Sequence, residues 1–301
     1  MIKTLKTTGP ALIIVAAILW GIDGILRRSL FTLPPSVIVF YEHLIGALLI
    51  LPFTLKASYK ETIRKKEWAV LLWVSLLSGL IGTLLFTAAL IKVNFISFSV
   101  VFLLQKLQPL FATLAAVFVL KEKITSQYLK WALLAILAAY FVTFPNGQVN
   151  LITGTGTITA ALMAVGAAFA WGSSTAFSRL GLLKLSHTLM TGLRFLITAP
   201  LALIAVFLLN NQSSLLTLES SQILRLLIIA LSTGMVALWI YYKGLKTTQA
   251  KISTILELAF PLTAIIIDLV FYKNTLTLSQ YTAALVLIFA IHQISRLNRK
   301  S

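Results

Sequence analysis

The chain has no cysteine and few acidic residues, and these two shortages exclude several kinds of functional site. Of its 301 residues only 8 are Asp or Glu and 3 are His, against 25 Lys and Arg. Without cysteine there is no disulfide, no thiolate metal site and no cysteine nucleophile. The histidines, His43, His187 and His292, lie far apart and match no HExxH-type metal spacing. Neither a metal nor another cofactor is therefore expected.

Charged residues of either sign are scarce. They make up 11% of the chain, whereas 59% is hydrophobic and the mean hydropathy is +0.96. Soluble domains carry roughly 25% charged residues, so the expected solvent is the lipid bilayer. The net charge of +17 could indicate a nucleic-acid binder. The basic residues, however, fall mostly in short gaps between apolar runs, which favours a membrane protein with no nucleic-acid partner.

The sequence contains many long apolar runs. A membrane-spanning helix needs about 20 mostly apolar residues. The first run lacks a small-x-small cleavage site and is too long for a signal peptide, so it is interpreted as a retained span. The sequence predicts an all-α integral membrane protein with ten transmembrane helices. The predicted spans are 10–28, 36–55, 68–88, 97–119, 127–144, 156–178, 188–209, 222–242, 252–272 and 278–295.

The basic residues also predict the orientation. With a cytoplasmic N-terminus and alternating spans, 18 of the 25 Lys and Arg residues fall on the cytoplasmic side and five on the outer side. The remaining two, Lys106 and Arg194, lie within spans. Because short loops rich in Lys and Arg stay in the cytoplasm, we expect a protein of the inner or plasma membrane with both termini cytoplasmic.

The two halves of the chain resemble each other. The segment AILWGIDGILRR, 17–28, matches AFAWGSSTAFSR, 168–179, and LLQKLQPLF, 103–111, matches ILELAFPLT, 255–263. With a third match, KEKITSQY to KNTLTLSQY, the offset stays between 151 and 153 residues, which chance explains poorly.

This similarity predicts two repeats, 1–150 and 151–301. Since each repeat holds five predicted spans, an odd number, the second is inverted relative to the first. Inverted repeats are typical of secondary transporters, whose substrate site lies near the middle of the membrane between the repeats.

Both predicted repeats place a proline four residues after a polar side chain. Pro109 follows Gln105 and Pro261 follows Glu257 at this spacing. Proline lacks an N–H and leaves free the carbonyl four residues earlier in a helix. Unpaired polar groups cannot face hydrocarbon, so these positions are expected to face protein or a wet cavity. A simple proline kink is the alternative, but the recurrence favours a substrate cavity.

Lys106 lies about nine residues into its span, or ~13 Å along a helix. A central lysine costs ~2.5–3.5 kcal/mol on insertion, so Lys106 is expected to pair with an acid or to bind an anionic group of a substrate. Snorkelling to the surface is the alternative. Gln105 and Gln108 would add hydrogen bonds. The equivalent residues Trp20 and Trp171 would line the cavity or, equally, pack against other aromatic rings.

Charges near the outer ends of the first two spans are candidates for coupling or gating. Asp23 lies four residues before Arg27, which predicts a local ion pair. Glu42 lies at a depth that Arg27 or Arg28 reaches. The neighbouring His43 could titrate near neutral pH, although consecutive residues of a helix point in different directions.

Two charges of the second half lie at similar depth, Arg194 in the seventh span and Glu257 in the ninth. They are a candidate pair or gate, or equally a structural tie. Glu257 and Asp268 are eleven residues apart and lie on one face of the ninth helix. Either Glu257 or Glu42 would carry a coupling proton.

At these residues the chain resembles the EamA-type transporters of the drug/metabolite transporter superfamily. The resemblance covers the whole length. Asn274 stands where the family has an acid after the ninth helix. The charges within the spans are not part of the general pattern and are assigned to the substrate or coupling chemistry of a subgroup. The motifs that carry the resemblance are Trp20-Gly21, Trp171-Gly172, Pro109, Pro261 and Glu122 in LKEK.

The resemblance implies a cavity between the repeats, peripheral fifth and tenth helices, and secondary transport of small metabolites by alternating access, often efflux. Small polar or amphipathic compounds, above all amino acids and their relatives, are the expected substrates, with a proton as the candidate coupling ion. A flippase for a lipid-linked head group is the alternative. A membrane-embedded enzyme is disfavoured because the sequence clusters neither nucleophiles nor metal ligands.

Overall fold

Long helices joined by short connections make up the fold. A computed structural model describes residues 2–93, 100–151, 156–270, 273 and 275–300. The helical segments within these residues are α1 (Ile2–Arg28), α2 (Pro35–Ser58), α3 (Lys65–Lys92), α4 (Val100–Leu120), α5 (Ser126–Thr143), α6 (Thr157–Leu182), α7 (His187–Leu208), α8 (Ser220–Leu245), α9 (250–270) and α10 (Leu278–Lys300).

Eight of these segments, α2 to α4 and α6 to α10, are long and apolar enough to cross a membrane. The apolar part of α1 is shorter, Thr8–Asp23. In α5 the hydropathy is lowered by Gln127 and Lys130, which lie in its first turns. The surface carries many exposed large apolar side chains, among them Phe53 and Leu208, as a lipid-facing surface requires. An all-helical membrane protein is therefore confirmed, and the number of ten spans stays a prediction.

Polar residues set the helix boundaries. The Thr125 hydroxyl accepts a hydrogen bond from the Tyr128 N–H at 3.1 Å and begins α5, and the Ser186 hydroxyl begins α7 in the same way. At the C-terminal end of α4, Lys121 takes a left-handed conformation with φ of 57°. These caps satisfy backbone groups that the helix itself leaves unpaired.

The main contacts between helices join the two halves of the chain. α2 packs along α7, α5 along α10, α4 against α6, and α1 against α8 and α9. α5 and α10 pack against each other and against α9. The other eight helices surround the space in which the candidate site lies.

Four of the helices around this space are irregular. α4 is interrupted at Lys106 and Leu107, where the Lys106 N–H bonds to the carbonyl of Leu103 at 3.1 Å. α9 tightens into a 3-10 turn at Glu257–Ala259, the aligned position of the second half. α3 contains a π-helical stretch, Ser75–Gly82, and α8 is interrupted between its helices Ser220–Leu231 and Met235–Leu245. Irregular backbone at membrane depth is tolerated where it lines a cavity.

Glu122, the acid of the LKEK motif, caps the start of α9. Its carboxylate accepts hydrogen bonds from the N–H groups of Ala250 and Lys251, at 2.8 and 3.1 Å. A carboxylate at this place also complements the helix dipole. Its aligned counterpart Asn274 and the side chain of Asp268 lie outside the described residues.

The glycine of each Trp-Gly motif permits a close helix contact. A Cβ atom on Gly172 of α6 would lie 2.6 Å from the Gln108 carbonyl oxygen and 3.0 Å from the Ala112 nitrogen of α4. A Cβ atom on Gly21 of α1 would lie 2.5 Å from Cβ of Thr263 in α9. Each glycine therefore seats its helix against the interrupted helix of the other half, just beyond the interruption.

We expect Gly172→Ala to destabilise the protein by about 1–3 kcal/mol, because the added methyl group meets α4 backbone that cannot move aside alone. Gly166→Ala in the same helix is the matched control. There the new Cβ would meet only the Cδ1 atom of Leu85, at 2.9 Å. This flexible tip can shift, and alanine favours the helix by up to about 1 kcal/mol. Thermal unfolding in detergent measures both, and equal melting temperatures would contradict the close contact.

Candidate functional site

A cavity of about 240 Å³ lies between the two halves of the chain, in the space that the irregular helices surround. No residue of α5 or α10 lines it, as the family resemblance implies. Of the residues singled out in the sequence, Pro261 does not line it and is buried beside Phe260. The singled-out residues that line the cavity are Trp20, Asp23, Arg27, Glu42, His43, Gln105, Lys106, Gln108, Pro109, Trp171, Arg194 and Glu257.

Aromatic rings form two parts of the cavity wall. The rings of Trp20 and Tyr241 lie 5.1 Å apart, and those of Trp171 and Phe86 lie 5.0 Å apart. The Trp171 indole N–H also donates to the carbonyl of Ser78 at 3.1 Å. Each of the two tryptophans thus lines the cavity and also packs against another aromatic ring. The two roles that the sequence left as alternatives therefore occur together.

Glu257 is held by neutral donors. The Tyr241 hydroxyl donates to its Oε1 at 2.6 Å, and the Gln108 amide donates to its Oε2 at 3.0 Å. No cation of the described residues forms an ion pair with it. Gln108 belongs to α4 and Glu257 to α9, so this hydrogen bond joins the two interrupted helices at their interruptions.

The predicted pair of Glu257 with Arg194 is wrong. The Arg194 guanidinium donates instead to the Tyr242 hydroxyl at 2.9 Å and to the Ser78 hydroxyl at 2.8 Å. Tyr241 and Tyr242 are consecutive on α8 and point in different directions, one toward Glu257 and the other toward Arg194. The helix therefore separates the two charges that similar depth in the sequence had placed together.

Three charged residues and a threonine meet where α1, α2 and α8 approach one another. Arg27 donates to Asp23 at 2.8 Å, which confirms the local ion pair, and to Glu42 at 3.0 Å, which confirms that Arg27 reaches it. The Thr233 hydroxyl donates to Asp23 at 2.6 Å from the irregular part of α8. Arg27, Glu42 and Thr233 are buried and Asp23 is partly buried, and the cluster ties α1 both to α2 and to the other half of the chain.

His43 and Glu42 both line the cavity. Consecutive residues of a helix point in different directions, but here both side chains reach the same cavity. Its Nδ1 lies 2.8 Å from the carbonyl oxygen of Val39 and donates to it, which leaves Nε2 as an acceptor in the neutral ring. The ring packs against Phe195 at 5.0 Å.

Lys106 has no carboxylate partner among the described residues, so the predicted pairing with an acid is not found. Its Nζ lies 5.3 Å from the centre of the Phe260 ring, a cation–π distance. Since no described residue forms an ion pair with it, the Lys106 ammonium keeps hydrogen-bond donors for another partner.

Several buried polar atoms of the cavity residues have no hydrogen-bond partner. Buried polar atoms in folded proteins are nearly always paired, so a group of unpaired ones points to a polar ligand or water. Thr248 Oγ1 is the one such atom of the described residues that belongs to a residue away from the cavity. Those of cavity residues are Arg27 Nη1, Thr87 Oγ1, Ser174 Oγ, Arg194 Nε and Thr254 Oγ1.

Sequence reasoning missed the hydroxyl groups of the site. Ser78, Tyr241, Tyr242 and Thr233 hold the charged residues in place. Serine and threonine are common in membrane helices, where they also bond to the backbone of their own helix, so their presence gives no signal. The one local sequence signal for these hydroxyl groups is Thr233-Gly234, which interrupts an apolar run.

The chain matches a family model and several known proteins. The model of the EamA-like transporter family matches residues 7–144 and again 158–296. The riboflavin transporter ImpX of Fusobacterium nucleatum is 36% identical over 293 residues, which cover 96% of this chain and 98% of that protein. The uncharacterized inner membrane transporter YhbE of Escherichia coli K12 is 31% identical over 169 residues, 54% of this chain and 51% of that protein.

A solved crystal structure has the same fold, with a TM-score of 0.73 at 17% identity over 97% of this chain and 98% of the other. At this identity the likeness shows the fold alone. The two family matches together span nearly the whole sequence, and the full-length relative is named as a transporter. The chain therefore belongs to the EamA-like transporter family, membrane transporters of the drug/metabolite transporter superfamily.

Proposed function

We propose that the chain is a secondary transporter of riboflavin or a similar planar, polar-edged metabolite, and that it works by alternating access. The observation that carries this proposal is a cavity between the two halves whose wall combines aromatic rings with polar and charged side chains. Flat aromatic rings stack on such faces, and hydroxyl groups form hydrogen bonds with polar side chains. The full-length similarity to a protein named as a riboflavin transporter supports the same substrate class.

The proposed architecture is ten spans in two inverted repeats, 1–150 and 151–301. Three observations support it: the family model matches twice, α4 and α9 are interrupted at aligned positions, and the main helix contacts join the halves. Two repeats that interlock around one cavity can rock against each other and open it to either side in turn.

The proposed location is a bacterial inner membrane or another plasma membrane. The proposed orientation places both termini on its cytoplasmic side. The distribution of Lys and Arg supports it, since 18 of 25 lie on that side of the predicted spans. The relative YhbE is itself named an inner membrane transporter.

An amino acid is the second candidate substrate. Lys106 favours it, because this cation faces the cavity without a carboxylate partner among the described residues and would attract a substrate carboxylate. Counterflow into proteoliposomes loaded with riboflavin, and separately with a mixture of amino acids, decides between the two. Exchange of amino acids without exchange of riboflavin would overturn the proposed substrate class.

Trp20→Ala is expected to raise the riboflavin concentration for half-maximal counterflow about tenfold, because the substrate ring loses a stacking surface worth about 1.4 kcal/mol. Trp68→Ala is the matched control, since Trp68 lies on α3 away from the cavity and is 45% exposed. Half-saturation is measured with both variants reconstituted at equal density. Equal values for the two would contradict stacking on Trp20.

Glu257 is the proposed carrier of a coupling proton. Glu42 is neutralised by Arg27, whereas Glu257 has only neutral donors around it and faces the cavity. A carboxylate of this kind is strongly favoured to exchange a proton when its access to water changes.

We expect Glu257→Gln to retain riboflavin counterflow, which needs no driving force, and to lose accumulation driven by an imposed pH gradient. The amide keeps the shape of the side chain but cannot release a proton. Glu219→Gln serves as the control because Glu219 is exposed and away from the cavity. Gradient-driven accumulation that survives in Glu257→Gln would remove this residue from the coupling step.

A further inference from the structure

We propose that an anionic phospholipid binds at a basic patch on the surface of the protein, away from the cavity. The patch consists of residues 56–66, at the end of α2 and in its connection to α3, together with Lys184 in the connection between α6 and α7. None of these residues lines the cavity, so the proposal does not depend on which molecule is transported. The proposed orientation enters only in naming the leaflet, which is the cytoplasmic one.

Positive charge is concentrated in this short stretch of the chain. Residues 56–66, KASYKETIRKK, contain five basic residues and one acidic residue, a net charge of +4 within eleven residues. All five basic residues are exposed, and none forms an ion pair with a described residue. Basic clusters of this size next to a membrane-spanning helix attract anionic lipid head groups. The five are Lys56, Lys60, Arg64, Lys65 and Lys66.

The two acids nearest to these cations in the sequence are held at helix starts. Glu61 accepts a hydrogen bond from the N–H of Ser186, which directly precedes α7, at 2.6 Å. Glu67 accepts one from the N–H of Arg64, which directly precedes α3, at 3.0 Å. Each carboxylate therefore pairs with a backbone group that its helix leaves free. The basic side chains remain available to an anion from outside the chain.

Contacts within the protein hold the patch in a defined place. Ile63 packs against the hydrophobic core, although its neighbours in the connection are exposed. The hydrogen bond from Ser186 to Glu61 joins this connection to the start of α7 in the second half of the chain. Lys184 lies two residues before Ser186 and is exposed, so it extends the patch onto the second half. Cations that are already positioned lower the ordering cost of binding.

The apolar surface beside the patch favours a lipid over a soluble anion. Lys65, Trp68 and Leu72 are spaced three and four residues apart, so they share one face of α3. Trp68 is 45% exposed and Leu72 is 54% exposed. Tryptophan is typical of the membrane interface, and leucine suits the acyl chains below it. This face therefore passes from cation to aromatic ring to aliphatic side chain, as a phospholipid passes from phosphate to acyl chain.

Thermal unfolding in a neutral detergent tests the site with three ligands. Phosphatidylglycerol, whose head group is negative, is expected to raise the melting temperature in a saturable manner, because a ligand of the folded state stabilises it. Phosphatidylcholine with the same acyl chains and glycerol 3-phosphate without acyl chains are expected to leave it unchanged. No rise with phosphatidylglycerol, or an equal rise with either of the other two, overturns the proposal.

A variant without three of the charges assigns the binding to the patch. The triple variant Lys60→Gln, Lys65→Gln and Lys66→Gln is expected to raise the half-saturating concentration of phosphatidylglycerol by at least about tenfold. It is expected to fold, because all three residues are exposed and positive charge in the first turn of α3 opposes the helix dipole. An unchanged half-saturating concentration overturns the proposal.

The matched control is the triple variant Lys121→Gln, Lys123→Gln and Lys130→Gln. It removes the same charge from exposed positions at the connection between α4 and α5, on the same predicted side of the membrane. Residues 121–130 hold three basic residues and one acidic residue, a net charge of only +2. The control is expected to change the half-saturating concentration by less than about twofold. Equal weakening in both triple variants would indicate diffuse attraction to the whole face and overturns the proposed site.

Discussion

The fold depends on the rule that every backbone N–H and C=O group in a bilayer must be paired or must face water or protein. Long regular helices obey this rule by themselves, and α2 and α7 run through without a break. The four helices that are not regular throughout, α3, α4, α8 and α9, each contribute residues of their irregular stretch to the cavity wall. The irregular backbone and the cavity therefore require each other: the cavity makes the interruptions tolerable, and the interruptions bring polar groups into it.

Charge balance and close packing then shape this space. Three basic and three acidic side chains line the cavity, Arg27, Lys106 and Arg194 against Asp23, Glu42 and Glu257. Arg27 forms ion pairs, whereas Arg194 and Glu257 are each held by hydroxyl or amide groups. A space that contains unpaired charges of both signs suits a molecule with both donors and acceptors. Glycine contacts hold α1 and α6 close against the interrupted helices, on the side of the tryptophans.

Hydropathy predicted the position of nearly every helix, because the bilayer imposes one length and one composition on each. Repetition within the sequence singled out Gln105, Glu257 and their prolines, and the cavity gathers all of these except Pro261. What the sequence could not supply was the direction of individual side chains. Depth alone placed Arg194 beside Glu257, whereas the 100° step between Tyr241 and Tyr242 sends the two charges to different partners. The roles of hydroxyl groups such as that of Ser78 could not be predicted either, because serine and threonine are common in membrane helices.

The Glu122 cap has a mechanical consequence. Its two hydrogen bonds to the start of α9 are joined by one from the Tyr128 hydroxyl to the Lys251 carbonyl, at 3.1 Å, and by the Lys251 ammonium, which donates to the Lys123 carbonyl. These hydrogen bonds tie the connection between α4 and α5 to the first turn of α9. Any movement that opens the cavity has to bend these helices elsewhere. Within the described residues, α4 and α9 depart from the α-helix only at their interruptions, so a bend there would act directly on the proposed substrate site.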